Sequence, residues 1–106
     1  MKSASATITT QTTTAVIAAV TAKRHHLTRI IVSNYAYADT ATIQLSDSAT
    51  TFMKFIQKDT NMGTFSVDFG GDEFKGGLTC ALGSAVNIVT ATANPSIDVT
   101  ILYRTD

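Results

Sequence analysis

The chain has 106 residues, with eight basic and eight acidic side chains and a formal net charge of zero at pH 7. That is the length of one domain, and its 15% of charged residues is well below the roughly 25% of an average globular protein. So sparse and balanced a charge argues against a nucleic-acid platform, which needs clustered Lys and Arg, and leaves little repulsion to hold copies apart.

In chain order, the first fourteen residues (MKSASATITTQTTT) are mostly Ser, Thr, Ala and Gln around a lone Ile8. They read as an extended N-terminal arm, residues 1–14, either disordered or added as a strand to a neighbour. Residues 15–106 then form a single domain. No apolar h-region stands beside Lys2, so no Sec signal peptide is expected. No run reaches the ~18 apolar residues of a membrane helix, so no membrane partner is expected. The run Ala15 to Val20 reads as a strand, because threonines flank it and no helix cap precedes it. Leu27 to Tyr35 is a strand by β-branched content. Its inward face is ambiguous: Leu27, Arg29, Ile31 and Ser33 compete with Thr28, Ile30, Val32 and Asn34.

Thr40 to Leu45, Thr64 to Phe69 and Ser96 to Tyr103 alternate apolar and polar residues with period two, which predicts strands with one buried face. Ala85 to Ala93 is a further β-branched segment. Turn residues separate these runs at Asp47-Ser48, Asp59-Thr60-Asn61, Gly70-Gly71-Asp72, Gly76-Gly77, Gly83-Ser84 and Asn94-Pro95. The fold class is therefore all-β: an antiparallel β-sandwich or jelly roll of about seven to eight strands.

The residues that could carry chemistry do not assemble into a known site. His25 and His26 are adjacent, so on a strand they point to opposite faces and cannot easily converge on one metal. They read as a polar, solvated start of a strand. Asp72-Glu73 lacks the D-x-D-x-D-G spacing of a calcium loop, and the glycine pairs around it lack the order of a phosphate loop. The glycines read as turns or bulges and the acidic pair as a solvated turn. Serines are many, but no G-x-S-x-G motif occurs. The single cysteine, Cys80, reads as a small buried hydrophobe. Lys23, Arg24 and Arg29 read as strand-end charges that discourage edge pairing. No catalytic, cofactor-binding or metal-binding residue is expected. The candidate interface residues are Thr9, Thr10, Gln11 and Thr12 in the arm, with Tyr35 and Tyr37, which share one strand face and suit either an interface anchor or the core.

The run from Thr12 to Tyr103 resembles small β-sandwich structural proteins of tailed bacteriophages. The residues that carry the likeness are Ala15 to Val20 followed by Lys23-Arg24, then Leu27 to Asn34, Ala41 to Leu45, Gly76 to Gly83, and Val99 to Tyr103. The resemblance implies a non-enzymatic subunit that packs as a trimer. Such a subunit serves as a capsid decoration (cement) protein, a head-fibre base or a tail component, with the major capsid protein or another virion subunit as partner. It would be made in the host cytoplasm and used on the virion. Removing Met1 to Thr14 is then expected to leave a folded domain and to abolish oligomers or capsid binding. A competing reading is a carbohydrate-binding or adhesin-like sandwich, for which Tyr35 and Tyr37 are the candidates.

Overall fold

The structure is a computed structural model, and it describes residues 1–34, 41–57, 63–90 and 96–106. Tyr35, Tyr37 and the turn signals at Asp59-Thr60-Asn61 and Asn94-Pro95 lie outside the described residues. Nine strands are present among those described: β1 (Lys2–Ile8), β2 (Thr13–Ile17), β3 (His25–Asn34), β4 (Ala41–Ser46), β5 (Thr51–Gln57), β6 (Gly63–Asp68), β7 (Leu78–Thr79), β8 (Val86–Thr90) and β9 (Ile97–Thr105). They form two antiparallel sheets packed face to face. The first has the order β1-β9-β3-β6, with β7 also on β3; the second has the order β2-β8-β4-β5.

Period-two alternation builds the space between the sheets. Ile97, Val99 and Ile101 of β9, Ile30 and Val32 of β3, Ile43 and Leu45 of β4, and Val86 and Ile88 of β8 are all fully buried there. Each such side chain stabilises the fold by about 1.5–3 kcal/mol. A bulge resolves the ambiguous face of β3. Leu27 lies opposite Tyr103 and Arg29 opposite Leu102, so Thr28 is the extra residue. Side chains before and after it therefore change sides. Leu27 points inward, and after the bulge Ile30 and Val32 do the same while Arg29 and Ser33 face out. Thr28 is buried nonetheless, with its hydroxyl donating to the Leu102 carbonyl at 3.1 Å.

Residues 1–14 are extended, but they do not stand apart as an arm. All seven residues of β1 pair with β9 in unbroken register, from Lys2 opposite Tyr103 to Ile8 opposite Ile97. Ile8 is in the core, with Ala4 and Ala6 packed against it. The connection through residues 9–12 then carries the chain from the first sheet to the second. Thr90, itself buried, stitches this connection: its hydroxyl bonds the Thr10 carbonyl at 2.8 Å and accepts from the Thr12 amide at 3.1 Å. The boundary at residue 14 is corrected accordingly, because the sandwich begins at β1. The single Ile8 suffices as an anchor because alternation aims the two alanines inward beside it. Deleting residues 1–14 removes an edge strand and a core isoleucine, so it is expected to cost at least ~2 kcal/mol of unfolding free energy. A urea titration of the truncated chain measures this.

Candidate interaction surface

The outward face of the first sheet is built by the residues that alternate with its core positions. Register sets polar side chains beside one another on neighbouring strands. Ser5 of β1 bonds Thr100 of β9 at 3.1 Å, and the Thr7 hydroxyl donates to Asp98 at 2.7 Å. On the other side of the sheet Ser33 bonds Thr64 at 3.0 Å, and Arg29 reaches Asp68 at 3.4 Å. These bonds pair hydroxyls, and one cation with its anion, within the face itself. A shallow groove of about 360 Å³, lined by Ser5, Thr7, Asp98 and Thr100, runs along β1 and β9.

Among the described residues, five strands lie at the sheet edges: β1, β6 and the two-residue β7 in the first sheet, β2 and β5 in the second. Natural edges are usually blunted by bulges, charges or proline. β2 is bulged between Ala15 and Ile17, and β5 is bulged at Phe52, between Thr51 and Met53, and carries an exposed Lys54. β6 ends at the Arg29–Asp68 ion pair. β1 has none of these along Ser3 to Ile8; its one charge, Lys2, sits at its first residue.

Between β6 and β7 the chain leaves the β3 edge and returns to it. Phe69 still donates to the Thr28 carbonyl, and Leu78 pairs with Leu27 on resumption. The excursion, residues 70–77, is pinched at its neck, where a Cβ on Gly71 would lie 2.4 Å from the Gly77 nitrogen. Asp72 shapes the tip, its Oδ1 accepting from the Phe74 and Lys75 amides at 2.8 and 2.9 Å. This bears out the turn reading of these glycines and of Asp72. Arg104 of β9 donates to the Asp72 and Gly76 carbonyls, and Glu73 reaches the Met1 ammonium at 3.5 Å. The loop is thus folded over the first sheet, leaving Phe74 80% exposed.

A polar clamp holds the end of the sandwich where the two sheets meet. Asp47, in the β4–β5 turn, is only 8% exposed. Its Oδ1 accepts from the Ala49 and Thr50 amides at 2.8 and 2.7 Å, and its Oδ2 accepts from the Ala81 amide at 2.8 Å. Burial pushes this carboxyl up, but the Ala81, Ala49 and Thr50 amides together hold it below the usual carboxylate range. Ser84 reinforces the same junction, bonding the Ser48 amide and hydroxyl at 2.8 and 2.9 Å. Cys80 is buried beside it, as its burial preference predicts. Desolvation, with the Asp47 charge second, pushes its thiol up to about 12, so it is a poor nucleophile near neutral pH.

The two histidines do point to opposite faces. His26 bonds Thr79 at 3.0 Å and donates to Asp106 at 2.5 Å, and this bond holds the Asp106 carboxyl below its ordinary value. The solvated reading fails for His25, which is 2% exposed. Its Nε2 donates to the Ala18 carbonyl at 2.9 Å, its Nδ1 bonds the Thr105 hydroxyl at 2.8 Å, and its ring meets Tyr103 edge-on. The imidazole is buried because these partners satisfy both nitrogens. Among the described residues, no three His, Cys, Asp or Glu side chains gather as a metal site.

Of the interface residues expected from sequence, Thr9, Thr10, Gln11 and Thr12 all lie exposed in the β1–β2 connection, on the side of the sandwich that carries the β1 and β2 edges. Tyr35 and Tyr37 lie outside the described residues. Sequence reasoning did not assign β1 to the sheet, nor Asp47 to the clamp. The alternation of Ala4, Ala6 and Ile8 against Ser3, Ser5 and Thr7 was the available signal for β1. No known protein-family model, curated protein or solved structure matches this chain.

Proposed function

We propose that the chain is a non-enzymatic structural subunit of a bacteriophage particle: a capsid decoration protein that associates with copies of itself and binds the major capsid protein on the head surface. The observation that carries this reading is the first sheet's outward face. Its polar groups are paired laterally, and it ends at the unguarded β1 edge. A face with little net charge, ending at a strand whose outer edge pairs with no other strand among the described residues, is suited to extended protein contact. Mixing the purified chain with capsids that lack their decoration protein, then sedimenting them, tests the role. Saturable co-sedimentation is expected. A chain that stays in the supernatant contradicts the role, and one that instead binds isolated tails moves it from head to tail.

A further inference from the structure

We propose that β1 of one copy pairs antiparallel with β1 of a second copy about a twofold axis at Ser5, joining the first sheets of the two subunits into one continuous sheet. This rests on the reading of the chain as a self-assembling subunit, and it names the partner and the register.

The residues of β1 are self-complementary in this arrangement. With Ser5 on the axis, Lys2 lies opposite Ile8, Ser3 opposite Thr7, and Ala4 opposite Ala6 of the second copy. No charge meets a like charge, and the two Lys2 side chains stand about 20 Å apart. A parallel pairing sets Lys2 beside Lys2, which is unfavourable. Side chains keep their faces. Ala4 and Ala6 stay toward the core and are small enough for close approach, while Ser3, Ser5 and Thr7 extend the rows already made by Ser5–Thr100 and Thr7–Asp98. Seven residues in regular register supply about six to eight intermolecular main-chain hydrogen bonds. The remaining edges among the described residues are worse partners: β2 is bulged, β5 is bulged and carries Lys54, β6 ends at an ion pair, and β7 is two residues long. The contact is twofold, so it gives a dimer where the phage resemblance implies a trimer.

Single-cysteine variants of the full chain test both pairing and register: Ser5→Cys, Ser3→Cys and Thr7→Cys, oxidised mildly and weighed without reductant. Cys80 is buried and does not compete. The proposal expects Ser5→Cys to form a covalent dimer at least tenfold faster than either other variant. It also expects an equimolar mixture of Ser3→Cys and Thr7→Cys to cross-link although each is slow by itself. Ser5→Cys cross-linking no faster than the others overturns the proposal, as does a mixture no more reactive than its components. Capsid co-sedimentation of the same proteins separates the two readings. Binding without a Ser5-specific cross-link overturns the strand pairing and leaves the virion role standing. A Ser5-specific cross-link without binding supports the pairing and overturns the role.

Discussion

Asp47→Ala is expected to lower the unfolding free energy by about 3 kcal/mol, because three part-buried amides lose a charged acceptor at once. The amides belong to Ala49 and Thr50 within the β4–β5 turn and to Ala81 across the sandwich, so both the turn and its tie to the first sheet are lost. Asp47→Asn is expected to cost roughly half as much. Its one oxygen can serve the two amides of the turn, while its NH2 opposes the Ala81 amide. The two variants also differ from the native chain in acid. A carboxylate whose folded pKa lies below its unfolded one contributes stability that is fully present above the unfolded value, near 3.8, and is lost as the pH falls through the lowered folded value. Asp68, Asp72 and Asp106 are shifted in the same direction. Native stability should therefore fall with pH below about 4, and both Asp47 variants should fall less steeply. Urea titrations at pH 7 and pH 3 measure both effects. A loss below about 0.5 kcal/mol in Asp47→Ala contradicts the clamp, being no more than a surface substitution costs.

Gly77→Ala and Gly71→Ala are expected to cost about 3 kcal/mol or more, and Gly70→Ala and Gly83→Ala only about 1 kcal/mol. All four glycines have positive φ, from 67° to 91°, so all pay the strain of a left-handed residue. Only the neck positions add a collision. A Cβ on Gly77 would sit 2.5 Å from the Leu27 carbonyl oxygen, and one on Gly71 would sit 2.4 Å from the Gly77 nitrogen. Gly70 and Gly83 have nothing within 4 Å. The obstructing atoms at the neck are backbone, which cannot swing aside, so Gly77→Ala must push Leu78 and β7 off β3. Amide exchange at Leu78 and Thr79 should rise in that variant and stay native-like in Gly70→Ala. Equal costs at all four positions would mean that the neck is not closed in solution.

The alternating strands were the legible part of the fold. β4, β6 and β9 show apolar side chains at every second position because one face is buried and the other wet, and the structure places them as read. β3 resisted a face assignment because the Thr28 bulge changes phase in mid-strand, and a bulge has no fixed residue signature. β5 (Thr51–Gln57) was not read as a strand: Phe52, Met53, Phe55 and Ile56 interrupt the alternation around the exposed Lys54. β7 is two residues long, too short for any period. β1 reads as an arm in sequence because Ala and Ser carry little hydrophobic signal, although they alternate. The buried polar groups were the least legible. Asp47 looks like any turn aspartate in sequence, and only the return of residues 80–84 to its side, by contacts distant in sequence, makes it a clamp. His25 looked solvated for the same reason, since its partners Ala18 and Thr105 are supplied by two other segments.

Sedimentation velocity of the intact chain over a hundredfold range of concentration tests most directly whether this sandwich is made to meet copies of itself. The weight-average mass is expected to climb from the 11.2 kDa of one chain toward twice that value as concentration rises. A mass of one chain at every concentration contradicts it.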